Sequence, residues 1–386
     1  MAYLFKLPQI ADLTPEQQVA LSETDPIALS GGAGTGKTVV SLWRHLQMME
    51  DLGKYSVLVT YTKTLRFYIE KSLDSIENKD MFLKKQILPP SKQVFNLLSF
   101  PNGQWKVSEI IIDEAQDLKF DKLKEISNHA ENTSYGADFN QQLYSNTVTY
   151  DEMEDYFDNN TPYSLQQNFR NTYHILNFVK NFLPQFSISQ DSLNVLLNGD
   201  FDNNIDANIG RKPDLLVIKD KGIEIDKIIE IINANKSETH NISILLPFGN
   251  SGEESVENYH TLLSKKGIQC SKYYNEMRTD VTSIENIHIT TFKSAKGLEF
   301  DTVIIPFFHK CKDFIARSKY TRVNEEDYYV ALTRTKSNLY LLSDKNLDFI
   351  DDNIYSMQEV TVSISTNDSF KHSIPNIDID DDTMPF

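Results

Sequence analysis

The stretch GGAGTGKT, at positions 31–38, decides the fold of this chain. It fits the phosphate-loop pattern G-x-x-x-x-G-K-[ST], with a strand-like run (PIALS) before it and a helix-like run (VVSLWRHLQMM) after it. Gly31, Gly34 and Gly36 let backbone N–H groups curl around phosphates, at a helix start that favours anions. We therefore predict a nucleotide site, with Lys37 at the β- and γ-phosphates and Thr38 holding Mg²⁺ through its hydroxyl.

Composition sets the broad class. The 386 residues are 40% hydrophobic and 24% charged, which is typical of a globular chain long enough for two domains. The net charge of −17 argues against tight, non-specific coating of nucleic acid but leaves room for a local basic groove. No apolar run reaches membrane-spanning length and no secretory signal is evident, so we expect a cytoplasmic protein. The two cysteines, Cys270 and Cys311, are expected to be free thiols.

Strand-like and helix-like runs alternate along the chain, which predicts an α/β fold with mainly parallel sheets. Four of the clearest apolar runs lie in each half, among them SVLVTY and EIIIDE in the first and ISILLPF and TVIIPF in the second. We predict one lobe at 1–163, a second at 164–348, and an acidic, mostly flexible tail at 349–386.

The run IIIDEAQD ends an apolar strand with two carboxylates. In a parallel sheet this places them at the carboxyl edge, beside the phosphate loop. Asp113 suits Mg²⁺, bound directly or through water, and Glu114 suits the general base that orients an attacking water. The alternative is an acidic strand end without a catalytic role.

Together, GGAGTGKT and DEAQD resemble the UvrD/Rep-like branch of the superfamily 1 helicases. Six further motifs similar to that family's follow its order within residues 13–342: LTPEQ, TYTKTL, ADFNQQLY, LQQNFRN, TTFKSAKGLEFD and YVALTRTK. The resemblance implies two tandem RecA-like lobes with ATP and Mg²⁺ bound in the cleft between them.

The resemblance also implies further nucleotide-site residues. They are Gln17 at the adenine, Gln141 and Arg170 at the γ-phosphate, Phe169 near the base, Gly297 and Glu299 near the nucleotide, and Arg334 as the arginine finger. Arginine suits phosphate because its charge is fixed and its planar fork matches two oxygens. An arginine supplied across the cleft makes hydrolysis depend on lobe closure. The alternative for Arg170 and Arg334 is surface salt bridging.

Nucleic-acid contacts are assigned by resemblance to Tyr61, Thr62 and Lys293, and Tyr144 is a further stacking candidate. For the two tyrosines, packing beneath their loops is an equal alternative. The chain departs from the family after ADFNQQLY, where SNTV lacks the usual stacking tryptophan. The spacing between motifs predicts that the subdomains usually inserted in each lobe are absent or vestigial.

The sequence ends DIDDDTMPF, which resembles the tip of bacterial single-stranded-DNA-binding proteins. In such a tip a terminal phenyl ring enters an apolar pocket while carboxylates meet a basic rim. The candidate contacts are Asp380, Asp381, Asp382, Pro385 and Phe386. The tip would dock on a protein that recognises it, or compete with DNA for this chain's own groove. A merely solvating acidic tail is an equal alternative.

The motifs lead to two functions. The first is an ATP-dependent translocase or helicase on single-stranded DNA, in repair or anti-phage defence, with 3′→5′ polarity implied by the family. The second is an ATPase subunit that regulates a partner nuclease and unwinds little itself. A protein that binds ATP only structurally is disfavoured, because every catalytic position is filled.

Overall fold

A computed structural model describes residues 2–4, 7–50, 54–60, 62–74, 87–88, 107–142, 147–200, 205–277, 281 and 283–360. These residues form two sheets, one of six strands and one of seven, and every strand pair is parallel. The predicted α/β class and the division into two lobes with parallel sheets are therefore confirmed.

The first sheet has the strand order β3-β2-β4-β5-β1-β6. Its strands are β1 (Ile27–Gly31), β2 (Ser56–Thr60), β3 (Ile87–Leu88), β4 (Val107–Asp113), β5 (Ala130–Ala137) and β6 (Thr161–Leu165). The helices of this lobe are α1 (Pro15–Ser22), α2 (Lys37–Glu50), α3 (Lys63–Asp74), α4 (Phe120–Ser127) and α5 (Tyr150–Tyr156). Because β1 and β4 both pair with β5 in parallel, their carboxyl ends reach the same edge of the sheet. That edge holds the phosphate loop and Asp113.

The second sheet has the order β13-β7-β12-β11-β8-β10-β9. Its strands are β7 (Asp214–Val217), β8 (Ile242–Leu246), β9 (Ser271–Tyr273), β10 (Ile287–Thr291), β11 (Phe300–Ile305), β12 (Thr335–Ser343) and β13 (Ser356–Glu359). Its helices are α6 (Tyr173–Phe182), α7 (Gln190–Asn198), α8 (Lys221–Asn235), α9 (Val256–Lys265), α10 (Cys311–Ala316), α11 (Ser318–Thr321) and α12 (Glu325–Thr333). Isoleucine and leucine make up four of the five residues of β8, and β11 ends in Val303, Ile304 and Ile305, which suits strands covered on both faces.

Two boundaries differ from the prediction. Strand β6 pairs with β1 as far as Leu165, so the predicted boundary after residue 163 divides a strand of the first sheet. The predicted tail begins at 349, but β13 completes the second sheet by pairing with β7. Both are edge strands with exposed side chains, and all four residues of β13 are exposed, so neither carries an apolar signal. Residues 361–386 lie outside the described part of the chain.

The second lobe carries no inserted subdomain in its described residues. Every named strand described between 171 and 289 belongs to the second sheet, and α6 and α7 pack against each other. In the first lobe, much of the corresponding stretch, 75–86 and 89–106, lies outside the described residues. None of the described helices has the length and apolar character needed to cross a bilayer.

The start of the chain crosses from one lobe to the other. Tyr3 is buried in the second lobe's main core, its N–H donates to the carbonyl of Ile284 (2.9 Å), and its hydroxyl donates to the carbonyl of Glu299. Its ring lies edge-on to Tyr68 of α3 in the first lobe (6.4 Å) and to Phe300 of β11 (5.7 Å). Residues 2–4 therefore contact the second lobe, although α1 belongs to the first.

Candidate nucleotide site and inter-lobe cleft

The phosphate loop joins β1 to α2, as its sequence predicts. Gly34 and Gly36 adopt positive φ angles of 74° and 89°, which favour glycine. A Cβ on Gly36 would lie 2.4 Å from the side-chain nitrogen of Gln17, and one on Gly34 would lie 2.7 Å from Cβ of Arg170. The glycines therefore set the loop's shape and also admit close neighbours from outside it.

Lys37 begins α2 and folds back over its own loop. Its ammonium group donates to the carbonyls of Gly31 and Gly32, at 2.8 Å each, and lies 3.9 Å from a carboxylate oxygen of Asp138. The cation is thus held at the place where phosphates would enter the loop. A bound phosphate would have to replace the two carbonyl contacts.

Thr38 and Asp113 meet beside the loop, as predicted for a magnesium site. The threonine hydroxyl donates to the Asp113 carboxylate at 2.7 Å. Hydroxyl and carboxylate oxygens are the ligands Mg²⁺ prefers, and the ion would gain its remaining ligands from phosphates and water. Burial, together with the charge of Glu114, raises the pKa of Asp113 to about 7. A divalent cation there would lower the pKa of this carboxyl and favour its ionised form.

Glu114 follows at the end of the strand in a left-handed conformation, with φ of 60°. Its carboxylate accepts a hydrogen bond from the Gln116 amide (2.7 Å) and lies 3.3 Å from the ammonium group of Lys296. Burial would raise the pKa of Glu114, but Lys296 and Lys37 outweigh it and lower the pKa to about 2. The candidate base is therefore ionised at neutral pH and held in an ion pair.

Lys296 is the partner that sequence reasoning missed. It lies in the second lobe, its side chain is fully buried, and its ammonium group also donates to Asp117 at 2.5 Å. Burial would lower the pKa of Lys296, but the carboxylates of Asp117 and Glu114 outweigh it and raise the pKa. Both Lys296 and Asp117 stand inside the quoted motifs, next to assigned positions, yet nothing local in the sequence pairs them.

A second ion network centres on Glu299. Its carboxylate contacts the guanidinium of Arg170 (3.2 Å) and the ammonium group of Lys336 (2.5 Å). Burial would raise the pKa of Glu299, but Lys336 and Arg170 lower it to about 2. Lys336 was not predicted, and its place two residues after Arg334 is the one local signal for it.

Arg334 is buried at the carboxyl end of α12. Its guanidinium donates to the carbonyls of Val330 (3.1 Å) and Leu298 (3.5 Å) and to the hydroxyl of Thr333 (3.3 Å). Burial and the nearby charge of Arg170 lower the pKa of Arg334 to about 9. The site thus keeps a cation in a dry environment, where an added anionic partner would be bound strongly.

A cavity of about 690 Å³ is lined by residues of both lobes and of the segment that follows β6. The first lobe contributes Gln17, Gly34, Gly36, Lys37, Thr38 and Glu114, and the second lobe contributes Gly297, Glu299, Arg334 and Lys336. Phe169 and Arg170 come from the segment after β6, where the N–H of Phe169 donates to the carbonyl of Gly34 (2.9 Å). The Phe169 ring is 46% exposed and so is available to a ligand in the cavity. The Gln17 amide already bonds within the protein: it accepts from the N–H of Thr14 (3.0 Å) and donates to the carbonyl of Thr35 (2.9 Å). Apart from Lys336, the residues named at this cavity are ones predicted for the nucleotide site, and the structure places them around one cavity.

The remaining predicted site residues have different positions. Gln141 ends the short 3-10 helix Phe139–Gln141 that follows β5. Thr62 is buried, and its hydroxyl accepts from the N–H of Leu65 (3.1 Å) and faces the inter-lobe contact. Lys293 keeps a side chain that is 30% exposed, 3.6 Å from Asp327. The nucleic-acid and tail assignments that lie outside the described residues are Tyr61, Tyr144, Asp380, Asp381, Asp382, Pro385 and Phe386.

Two family models match the chain. The model described as UvrD-like helicase C-terminal domain matches residues 272–346, and the model described as Schlafen group 3, DNA/RNA helicase domain, matches residues 26–216. The RecBCD enzyme subunit RecB of Chlamydia pneumoniae is 37% identical over 86 residues, or 22% of this chain and 8% of that protein. A protein of Acanthamoeba polyphaga mimivirus with the provisional name ATP-dependent DNA helicase is 26% identical over 263 residues, or 61% of this chain and 34% of that protein.

A solved structure shares the architecture. Dbp5 of S. cerevisiae, bound to RNA and ADP BeF3, superposes with a TM-score of 0.53 over 90% of this chain and 89% of that one, at 14% identity. This similarity shows the fold alone and confirms the predicted pair of RecA-like lobes. Because the chain spans only 8% and 34% of the curated relatives' lengths, their activities are not transferred by the match itself.

Proposed function

Because this chain belongs to the UvrD-like superfamily 1 helicases, a family of ATP-hydrolysing enzymes, we propose that it hydrolyses ATP between its two lobes and acts on single-stranded nucleic acid. One observation carries the proposal. The phosphate loop of the first lobe, Arg170 beside it and Arg334 of the second lobe line the same cavity of about 690 Å³. A site of this form can bind a nucleotide from one side and neutralise its γ-phosphate from the other.

On the first wall, the ammonium group of Lys37 exchanges its two loop carbonyls for phosphate oxygens. Thr38 and Asp113 hold Mg²⁺, which supplies charge neutralisation at the phosphates when bound. The Phe169 ring stacks near the base, and the Gln17 amide holds the phosphate loop by donating to the carbonyl of Thr35. Gln141 is proposed to sense the γ-phosphate from the end of its short helix.

Glu114 orients the attacking water and accepts its proton. The Lys296 contact opposes this role, because a carboxylate whose pKa is about 2 is a weak base. Moving Lys296 away would raise the pKa of Glu114 and strengthen it as a base. Since Lys296 belongs to the second lobe, a rearrangement of its side chain as the lobes close would couple strand binding to hydrolysis.

Arg170, beside the phosphate loop, and Arg334, from the second lobe, stabilise the charge that develops on the γ-phosphate. Arg170 must share its guanidinium between phosphate and Glu299, while Arg334 is bonded to backbone carbonyls and one hydroxyl. Replacing those contacts with phosphate contacts draws the lobes together. Each catalytic cycle would then close and reopen the cleft, as translocation along a strand requires.

We further propose a role in DNA repair or anti-phage defence, with 3′→5′ movement on DNA. A second candidate is an ATPase subunit that controls a partner nuclease. The described part of the second lobe favours it, because residues there build the lobe itself and leave no inserted subdomain to engage a duplex. The candidate tail contacts, Asp380 to Asp382 with Pro385 and Phe386, are proposed to bind a protein that recognises the tip of single-stranded-DNA-binding protein. Replacing Phe386 by alanine should abolish recovery of that partner without changing ATP turnover.

The experiment is steady-state ATP hydrolysis by the purified chain, with and without single-stranded DNA, at low and physiological salt. Strong stimulation followed by strand displacement supports the helicase. Basal hydrolysis without stimulation or displacement supports the partner-controlled subunit. Absence of hydrolysis in every condition, with Mg²⁺ present and ATP bound, would overturn both.

A further inference from the structure

A basic stretch of the second lobe is not used by the nucleotide site. In a chain of net charge −17, residues 309–322 (HKCKDFIARSKYTR) carry five lysines and arginines and a single acidic residue, Asp313. The stretch follows β11 and contains α10 and α11. It therefore lies beyond the carboxyl end of a central strand of the second sheet.

The five cations divide into two groups. Lys310 pairs with Glu254 at 2.7 Å, and the ammonium group of Lys312 lies 5.2 Å from the ring centroid of Phe182. The other three are exposed and have no carboxylate within 4 Å among the described residues: Arg317, Lys319 and Arg322. The cations of the first group make contacts within the protein, whereas those of the second group face solvent.

An aromatic ring stands among the three exposed cations. Tyr320 is 84% exposed, more than any other large hydrophobic side chain in the described residues. Its N–H donates to the carbonyl of Arg317 (2.8 Å), and the N–H of Arg322 donates to the carbonyl of Ser318 (2.7 Å), so the four side chains project from one tight helical turn. We call residues 317–322 the basic turn.

The basic turn is anchored to the lobe. Cys311 is fully buried, and the ring of Phe314 packs edge-on against Phe248, which follows β8 (5.5 Å). The hydroxyl of Thr321 donates to the carbonyl of Phe314 (2.9 Å), which ties α11 to α10. An exposed ring on a firmly held turn loses little conformational freedom when it binds, which favours recognition.

The basic turn is followed by α12, which ends next to Arg334 of the cleft. Arg322 lies five residues before Asp327 of α12, and Asp327 contacts Lys293, 3.6 Å away. Lys293 is the predicted phosphate contact of the second lobe. The basic turn is therefore joined in sequence to the helix whose Asp327 contacts the candidate strand-binding residue Lys293.

We propose that Arg317, Lys319 and Arg322 bind the phosphates of single-stranded nucleic acid and that Tyr320 stacks on one of its bases. Cations that follow a backbone and an aromatic ring that accepts any base are the two elements of sequence-tolerant strand binding. An acidic peptide would use the cations but not the ring, so the exposed Tyr320 favours nucleic acid. This inference rests on the proposed function and adds to it the place where the strand binds.

The test measures binding of the full chain to a fluorescent oligothymidine of 20 nucleotides over a range of salt concentrations. One variant reverses two charges of the basic turn, Arg317→Glu with Lys319→Glu; Arg322 is kept because it adopts a positive φ of 59°. The matched control reverses two other exposed lysines of the same lobe, Lys236→Glu with Lys265→Glu. Tyr320→Ala and Tyr320→Phe separate the ring from the charges. Basal ATP turnover without DNA reports on folding and on the nucleotide site.

The expected result is affinity at least about tenfold weaker for the charge reversal and about tenfold weaker for Tyr320→Ala, with Tyr320→Phe and the lysine control near wild type. The slope of log affinity against log salt should fall by about 1.4 or more in the charge reversal, since each lost single-strand phosphate contact accounts for about 0.7. Basal turnover should not change in any variant.

Three results would overturn the inference. Wild-type binding that the basic-turn variants leave unchanged removes the assignment while the proposed function stands. A wild-type chain that hydrolyses ATP but binds no oligonucleotide refutes the nucleic-acid part of the proposed function as well. Strong oligonucleotide binding that emerges only when Asp380, Asp381 and Asp382 are changed to Asn together would assign the basic turn to the acidic tail.

Discussion

The two walls of the cleft are constructed in different ways. The first-lobe wall is local: one loop of eight residues supplies Lys37 and Thr38, and one strand end supplies Asp113 and Glu114. The opposite wall is assembled from residues of the second lobe that are separated in sequence, such as Glu299 and Arg334, and Glu299 is held by ion pairs with Arg170 and Lys336. The local wall sets the position at which phosphates bind, while the side chains of the assembled wall can change their ion-pair partners.

One residue of the second lobe also takes part in the acidic site of the first lobe. The side chain of Lys296 extends from the second lobe into this site, where it contacts Glu114 and Asp117. The residues of the local wall therefore all lie in short stretches of sequence, but the wall also depends on a lysine of the second lobe. Its base is controlled by the assembled wall, and the following substitutions test that dependence.

The largest expected effect concerns the local wall. Glu114→Gln keeps the shape of the side chain but removes the base, so ATP turnover should fall about 10³-fold while ATP binding stays within a few-fold of wild type. Turnover and equilibrium nucleotide binding measure the two effects separately. Glu131→Gln, at an exposed position of β5, is the control and should retain full turnover. Unchanged turnover in Glu114→Gln would assign the base to another group.

The shared residue should matter for stability. Lys296→Met leaves the buried carboxylates of Asp117 and Glu114 without their cation, which should lower the free energy of unfolding by about 3–5 kcal/mol. Urea denaturation measures this change. In the control Lys266→Met the broken pair with Asp226 is more than half exposed on both sides, so the loss should be under about 1 kcal/mol. Equal losses in the two variants would mean that the buried pairing is not what stabilises the inter-lobe contact.

The phosphate loop should tolerate less change than a glycine turn elsewhere. Gly36→Ala combines an unfavourable positive φ with a Cβ only 2.4 Å from the Gln17 amide, so it should cost about 2–3 kcal/mol. Gly267 has φ of 80° and open space around its Cβ position, so Gly267→Ala should cost about 1 kcal/mol. Thermal or urea unfolding compares them. A similar cost at both positions would show that Gln17 moves aside freely.

The smallest effect is a pH dependence on the assembled wall. Lys336 and Arg170 hold the pKa of Glu299 at about 2, below its ordinary 4.5, so its ionisation stabilises the fold above about pH 4.5 and is lost as the pH falls from there toward 2. The stability difference between wild type and Glu299→Gln should therefore shrink by about 1 kcal/mol between pH 7 and pH 4. Denaturation at several pH values measures it. A pH-independent difference would contradict the low pKa.

The contrast between the walls also explains what the sequence could predict. Short stretches of sequence determine the conformation of the phosphate loop and of the strand end at DEAQD, so Lys37, Thr38 and Asp113 lie beside one another as expected. Lys296 pairs with Asp117 across 179 residues of sequence, and Lys336 pairs with Glu299 on a different element of the second lobe, so no local pattern contains either pairing. Edge strand β13 exposes all four of its side chains and β6 buries only Leu165, so hydrophobic periodicity could not find them. The buried position of Thr62 follows from lobe packing rather than from its motif.

The central claim is that hydrolysis requires an arginine from the wall opposite the phosphate loop. The most direct measurement is ATP turnover beside ATP binding in wild type and in Arg334→Lys, which keeps the charge but loses the planar fork. The account predicts that the variant binds ATP within about tenfold of wild type and hydrolyses it at least about 10²-fold more slowly. Turnover close to wild type in Arg334→Lys would contradict it.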